Sequence, residues 1–249
     1  MKIISWILGI VLVVLIVVIF VVGLFYIGPI IKLGMEQIGP RVAQVSIKVD
    51  AVDVSLFSGS ASIKGLIVGN PQGYATPQAI SVGTVAISLD PLSVTSNKIL
   101  IHSIHVESPE ITFEGGVSNN NLTKILDNVN NFTKNIVPQS NNNPAPKIEV
   151  DDFLITGARV HIDLSNMVNK EIALPDIHLT DLGKDSNGLT PAELSSAVLK
   201  AVSSDTISAV TSTIVDLGQG VKSLGQTAVK TVGENLSKIT GNLGGLLGK

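Results

Sequence analysis

The sequence predicts an α+β fold: a single N-terminal transmembrane helix, then a mostly antiparallel β-sheet with a packing helix, then a C-terminal amphipathic helical region. Three observations carry this. Between Lys2 and Lys32 the run Ile3 to Ile31 holds no charge; at about 1.5 Å of rise per residue it covers roughly 40 Å, more than the ~30 Å hydrocarbon core of a bilayer. From Val45 onward apolar and polar residues alternate with the period of half-buried strands. Near the C-terminus the apolar spacing changes to three and four, the period of a helix face. The chain therefore divides into a transmembrane anchor (1–32), a β-rich domain (33–183) and a helical region (184–249).

The first element is read as an uncleaved span. A signal peptide has an apolar core of only about 7 to 15 residues followed by a small-residue cleavage site, and this sequence has neither. Trp6, Phe25 and Tyr26 stand near its ends, where amphipathic rings favour the headgroup region, and Gly28-Pro29 falls where the helix can stop. Lys2 on one flank is balanced by Lys32, Arg41 and Lys48 on the other, so charge does not set the orientation. The short tail before the span favours an N-terminus inside and a domain outside the cytoplasm.

Composition narrows the classes. Net charge is -3 and charged residues make up 15%, so no basic field exists for nucleic acid. The absence of cysteine removes disulfides, thiolate nucleophiles and zinc-cysteine sites. Aromatics at 4% are too sparse for a stacking platform.

In chain order, Gly34 to Gln44 continues a helix that Pro40 is expected to end. Val45, Ile47 and Val49 then alternate, and after Ala51 the phase shifts so that Val52, Val54 and Leu56 continue on one face, which predicts a bend or bulge. Ser58-Gly59-Ser60 turns the chain into a partner strand over 61–68. Gly69 to Tyr74 is a loop of turn residues, Ile80 to Leu89 a further strand, and Asp90-Pro91 its end. Next comes a repeat: Lys98 to Glu114 (KILIHSIHVESPEITFE) aligns without a gap to Lys147 to Asp163 (KIEVDDFLITGARVHID). Ile99 matches Ile148, Ile101 Val150, Ile104 Phe153, Val106 Ile155, Ile111 Val160 and Phe113 Ile162. Both copies pause for one extra position in mid-strand. This predicts a sheet extended by stacking similar two-strand units.

Between the copies, Leu122, Ile125, Leu126, Val129 and Phe132 sit at helical spacing, giving a helix over about 121–136 with Asn121 as N-cap. The polar stretch 138–146 is expected to be a flexible loop. Glu171 to Leu182 supplies another strand region in which Pro175 marks an edge or bulge. Thr190-Pro191-Ala192-Glu193 has the parts of a capping box and starts a helix to about Leu217. From Val221 to Leu246 apolar residues again recur at three and four, a stripe suited to packing on the domain, on a protein partner or second copy, or in a membrane interface.

No site for chemistry is marked out. His102, His105, His161 and His178 lie in predicted strands; His105 with Glu107, and His161 with Asp163, share a face, but a solvated sheet face calls for such alternate polar residues. Asp50 with Asp53, and Asp151-Asp152, have no nucleophile or base beside them. There is no G-x-S-x-G, no H-E-x-x-H and no phosphate-binding glycine loop. The expectation is a protein that is not an enzyme, with no metal and no cofactor.

The anchor followed by VSIKVDAVDVSLFSGSASIKGLIVGNPQGY, ISVGTVAISLDPLSV, ILIHSIHVESPEITFEGG, NNLTKIL and EIALPDIHLTDLG resembles the AsmA-like family of bacterial membrane-anchored periplasmic proteins, over about Met1 to Gly183. The resemblance implies a curved, groove-like sheet related to bridge-like lipid-transfer proteins, a bacterial inner-membrane location with the main domain in the periplasm, and roles in outer-membrane assembly and phospholipid homeostasis. It implies no catalytic residues. The lipid-facing residues are then expected to be Val85, Ile87, Leu89, Ile99, Ile101, Ile104, Val106, Ile148, Val150, Phe153 and Ile155. About eight strands at ~4.8 Å would span about 40 Å, enough to hold an acyl chain and too short to bridge two membranes. The alternative expectation is a structural or interaction module that binds envelope partners through the 221–246 stripe.

Overall fold

A computed structural model of the chain describes residues 27–135, 146–163 and 169–216. Residues 3–26 of the expected span, most of the 138–146 loop and the 221–246 stripe lie outside the described residues. Among the described residues no helix is long and apolar enough to cross a membrane. The chain divides into two compact units, Met1–Thr206 and Ile207–Lys249.

The first unit is built on one ten-stranded sheet. Its strands are β1 (Ile47–Lys48), β2 (Ala51–Ser55), β3 (Ser60–Gly69), β4 (Gln78–Leu89), β5 (Lys98–Glu107), β6 (Glu110–Glu114), β7 (Lys147–Thr156), β8 (Arg159–Asp163), β9 (Asn169–Ala173) and β10 (Ile177–Leu182). Helix α1 covers residues 27–43, α2 is Asn121–Asn135 and α3 runs from 191 to 216, its last ten residues falling in the second unit. Most pairings are antiparallel. The parallel ones are β5 with β7 and β6 with β8.

Those parallel pairs are the two copies of the sequence repeat lying side by side. Ile99 pairs with Ile148, Ile101 with Val150, Ile104 with Phe153 and Val106 with Ile155; Ile111 pairs with Val160 and Phe113 with Ile162. The gapless alignment is thus the hydrogen-bonding register itself. Parallel neighbours need a long crossover, and α2 with the polar segment after it provides one.

Strands run end to end, so the sheet has six long lines: β1–β2, β3, β4, β5–β6, β7–β8 and β9–β10. Extending the registers by one or two positions places Asp50, Gly65, Gly83, Ser108, Gly157 and Pro175 in a single row across all six. Gly65, Ser108 and Gly157 have φ of 61°, 47° and 63°, the left-handed region that a regular strand does not use. A left-handed residue turns the chain about its own axis and resets the alternation. Val106 and Pro109 around Ser108 are accordingly both buried although three residues apart, and so are Ile155 and Ala158 around Gly157; Val82 with Val85 and Val49 with Val52 show the same spacing across Gly83 and Asp50, which are not left-handed. This row is the physical form of the phase shift expected after Ala51. At Gly65 a side chain would also collide with the Asp50 carboxylate, so glycine is required there twice over.

Helices cover what the sheet leaves open. α1 runs antiparallel to the edge line β1–β2: Gly28 lies against the Val52 carbonyl and Gly39 against Ile47, the Lys32 ammonium donates to the Asp50 carbonyl (2.9 Å) and the Val49 N–H donates to Glu36 Oε1 (3.0 Å). One edge amide and one edge carbonyl are thereby occupied on the side where another strand could otherwise pair. α2 packs on β6; its Leu122, Ile125 and Val129 are buried, as are Ile111, Phe113, Val160 and Ile162 of β6 and β8. Each such side chain stabilises by roughly 1.5–3 kcal/mol. α3 opens with the expected capping box, Thr190 N–H donating to Glu193 Oε2 (2.7 Å) and Glu193 N–H to Thr190 Oγ1 (3.2 Å).

Three local expectations are corrected. Gly28-Pro29 is inside helical residues rather than at a stop, because glycine there admits the Val52 carbonyl. Pro40 does not end α1, which continues to residue 43. A proline in the last turn forfeits a single backbone bond, and termination falls to Gln44, left-handed at φ 55° with its N–H donating to the Pro40 carbonyl (3.0 Å). The cap of α2 is Asn120, whose Oδ1 accepts from Thr123 N–H (2.9 Å). Asn121 instead accepts from Glu114 N–H and donates to the Thr112 carbonyl and Asn70 Oδ1, fastening the helix to the sheet.

Candidate functional site

The strand registers assemble an apolar lining on one face of the sheet. Its first row, next to the row that runs through Gly65, Ser108 and Gly157, is Val52, Ile63, Val85, Val106, Ile155 and Ile177, one residue from each line. The second is Val54, Ala61, Ile87, Ile104, Phe153 and Leu179. The third joins Leu89, Ile101, Val150 and Leu182, and Ile99 pairs with Ile148 beyond it. All eleven residues singled out from the sequence belong to these rows. The extra position in each repeat copy makes this possible: the β4–β5 register shifts by one between Ser88 and Leu89, and His102 and Asp151, at the extra positions, meet at 3.3 Å.

The lining is wider than the sequence-derived set. Val52, Ile63 and Ile177 complete the first row and Val54, Ala61 and Leu179 the second. Their period-two alternation is visible in the sequence, but only the register says that they continue the same rows.

Cover thins along the face. In the first row every residue except Ile63 is buried; in the second Ile104 and Phe153 are; in the third Val150 is. Leu89, Ile99, Ile101, Ile148 and Leu182 are half-buried. The less covered side is the end of the sheet that holds the β2–β3 turn and the start of β5 and β7.

The opposite face is polar. Ser55, Ser60, Ser88, Ser103, Asp152 and Thr180 form one of its rows. Lys64 pairs with Asp53 (2.9 Å) and His178 with Asp152 (2.5 Å) there, and His105 lies 3.6 Å from Glu107. His161 turns across to Glu171 (3.5 Å) on β9 rather than along its own strand to Asp163. Among the described residues no group of three or more His, Asp or Glu side chains could hold a metal ion.

A polar cluster that sequence reasoning missed lies around Glu114 at the end of β6. Its carboxylate accepts from Ala75 N–H (2.5 Å), Thr76 N–H (2.9 Å) and Thr76 Oγ1 (2.5 Å), pinning the β3–β4 loop. Burial pushes its pKa up, but the hydrogen bonds from the Thr76 hydroxyl and the Ala75 and Thr76 amides outweigh it and hold the group below its ordinary value. Its contacts are structural. No sequence signal pointed to it, because the donors lie nearly forty positions away.

Fold and face together define an open α+β sheet protein with a one-sided apolar lining, behind an uncharged N-terminal run. The chain belongs to the AsmA family, whose model matches residues 1–202, the whole sheet included; members of this family are generally envelope-associated. No curated protein matches the sequence at a significant level.

Proposed function

We propose that this is a non-enzymatic, membrane-anchored envelope protein that binds acyl chains of phospholipid along its apolar face and guides them within the envelope. The observation that carries the reading is the lining itself: contiguous apolar rows across six strand lines, with cover that thins toward one end. A closed core gives no reason for half-buried Ile, Leu and Val to be grouped at one end, whereas a lipid tail needs a continuous apolar track. The anchor over residues 3–31, an inner-membrane location and a periplasmic domain complete the reading; they rest on the uncharged run and on family membership. The face is proposed to be curved into a groove.

Photocrosslinking tests this. A benzophenone amino acid at Ile87 or Ile101 is expected to capture phospholipid in membranes, and one at the neighbouring polar-face positions Ser88 and Ser103 is not. Equal capture at all four positions contradicts the assignment. The scaffold alternative depends on residues 221–246, outside the described residues, and no structural observation favours it.

A further inference from the structure

Two large apolar side chains stand in solvent at one end of the sheet. Phe57, at the tip of the β2–β3 turn, is fully exposed, and Leu92, in the 3-10 turn Pro91–Thr95 that follows β4, is 85% exposed. The two turns touch: Leu89 N–H donates to the Gly59 carbonyl (2.8 Å), and Gly59 packs against the Pro91 ring. Both are held in shape. Ser58 Oγ bonds to Ser55 and Ser60 hydroxyls (2.8 and 2.7 Å), and Asp90 caps the 3-10 turn by accepting from Leu92 N–H (2.9 Å). Single exposed apolar residues are ordinary on protein surfaces, but two on adjoining, internally bonded turns form a built apolar tip.

The path of the chain says what this tip meets. Along α1, Gly28 sits beside Val52, Lys32 beside Asp50, Glu36 beside Val49 and Gly39 beside Ile47. The chain therefore enters α1 from the side toward which β2 runs, and Phe57 lies two residues past the end of β2. What precedes α1 is the uncharged run from Ile3 to Tyr26, long enough to span a bilayer. On α1 itself Ile30, Ile31 and Leu33 are exposed near the same entry.

We propose that this end of the sheet rests on the phospholipid bilayer and inserts Phe57 and Leu92 into it. The proposal deepens the lipid-guiding reading and rests on it in one respect: the thinly covered part of the apolar face, around Leu89, Ile101 and Ile148, opens at this same end, so a tail leaving the bilayer meets the lining at once.

The cysteine-free chain permits a direct test. Full-length Phe57→Cys, Leu92→Cys and, at the opposite end in the β3–β4 loop, Gln72→Cys are labelled with an environment-sensitive NBD fluorophore and reconstituted in phosphatidylethanolamine/phosphatidylglycerol vesicles. Labels at 57 and 92 are expected to emit at shorter wavelength and to be quenched by nitroxide-bearing lipid, and the label at 72 to do neither. Aqueous spectra at all three positions, or equal quenching at 72, overturn the proposal. The same samples are then given a pyrene-labelled fatty acid. Probe uptake with an aqueous tip overturns tip insertion alone, and an inserted tip without probe uptake overturns the lining as a lipid site while the tip assignment stands.

Discussion

Glu114 shows how single residues hold this sheet in register. Its carboxylate replaces water for two loop amides and a hydroxyl, and removing it leaves those donors without a partner. Glu114→Gln keeps one acceptor oxygen but sets an NH2 group against the remaining donors, and is expected to cost about 1–3 kcal/mol at neutral pH, read as a lower urea midpoint. Because the folded-state pKa is depressed, this contribution is present above the ordinary carboxylate range and is lost as pH falls through the folded pKa. The wild type should therefore lose stability on acidification more steeply than the variant. Parallel acid limbs for the two proteins would show that Glu114 does not carry the effect. Gly65 is the sharper case: Gly65→Ala must place a Cβ at φ 61° and against Asp50, and is expected to destabilise by more than about 1 kcal/mol. Ser108, at φ 47° on the same row, predicts the opposite sign. Ser108→Gly should be neutral or stabilising by up to about 1 kcal/mol, and a large loss in calorimetry would mean that its side chain matters more than its backbone.

At the scale of elements, much was legible in the sequence and the reasons are local. Strand alternation, the Ser58-Gly59-Ser60 turn, the Asp90-Pro91 stop and the Thr190–Glu193 box each depend on residues within a few positions of one another. The repeat was legible because parallel pairing of equivalent strands preserves the alignment residue for residue. What failed was decided by distant groups. Gly28 and Pro40 look like breaks until the Val52 carbonyl and the left-handed Gln44 are known, and Asn121 looks like a cap until Glu114 and Asn70 claim its amide. The box gives an element-scale prediction: Thr190→Ala should cost about 1 kcal/mol and reduce helical circular dichroism from α3 before the sheet unfolds. An unchanged melting curve would place α3's stability in packing alone.

For the whole molecule, the end-to-end strands change the dimension that matters. Six lines at ~4.8 Å make a sheet only about 25 Å across, narrower than the roughly 40 Å expected from counting strands separately. A track of that width suits an acyl chain and does not bridge two membranes, so under the proposed reading one copy would act locally, at its own bilayer. The lining rows could be foreseen on the repeat and on β4. Their continuation onto β2, β3 and β10 could not, since register across six lines is a tertiary fact. The central claim is that this lining holds lipid tails, and mass spectrometry of lipid retained by the purified full-length chain tests it most directly. Co-purifying phospholipid is expected, largely lost in Ile87→Glu/Ile101→Glu and retained in the polar-face control Ser88→Glu/Ser103→Glu. Equal lipid in all three proteins, or none in the wild type, would contradict it.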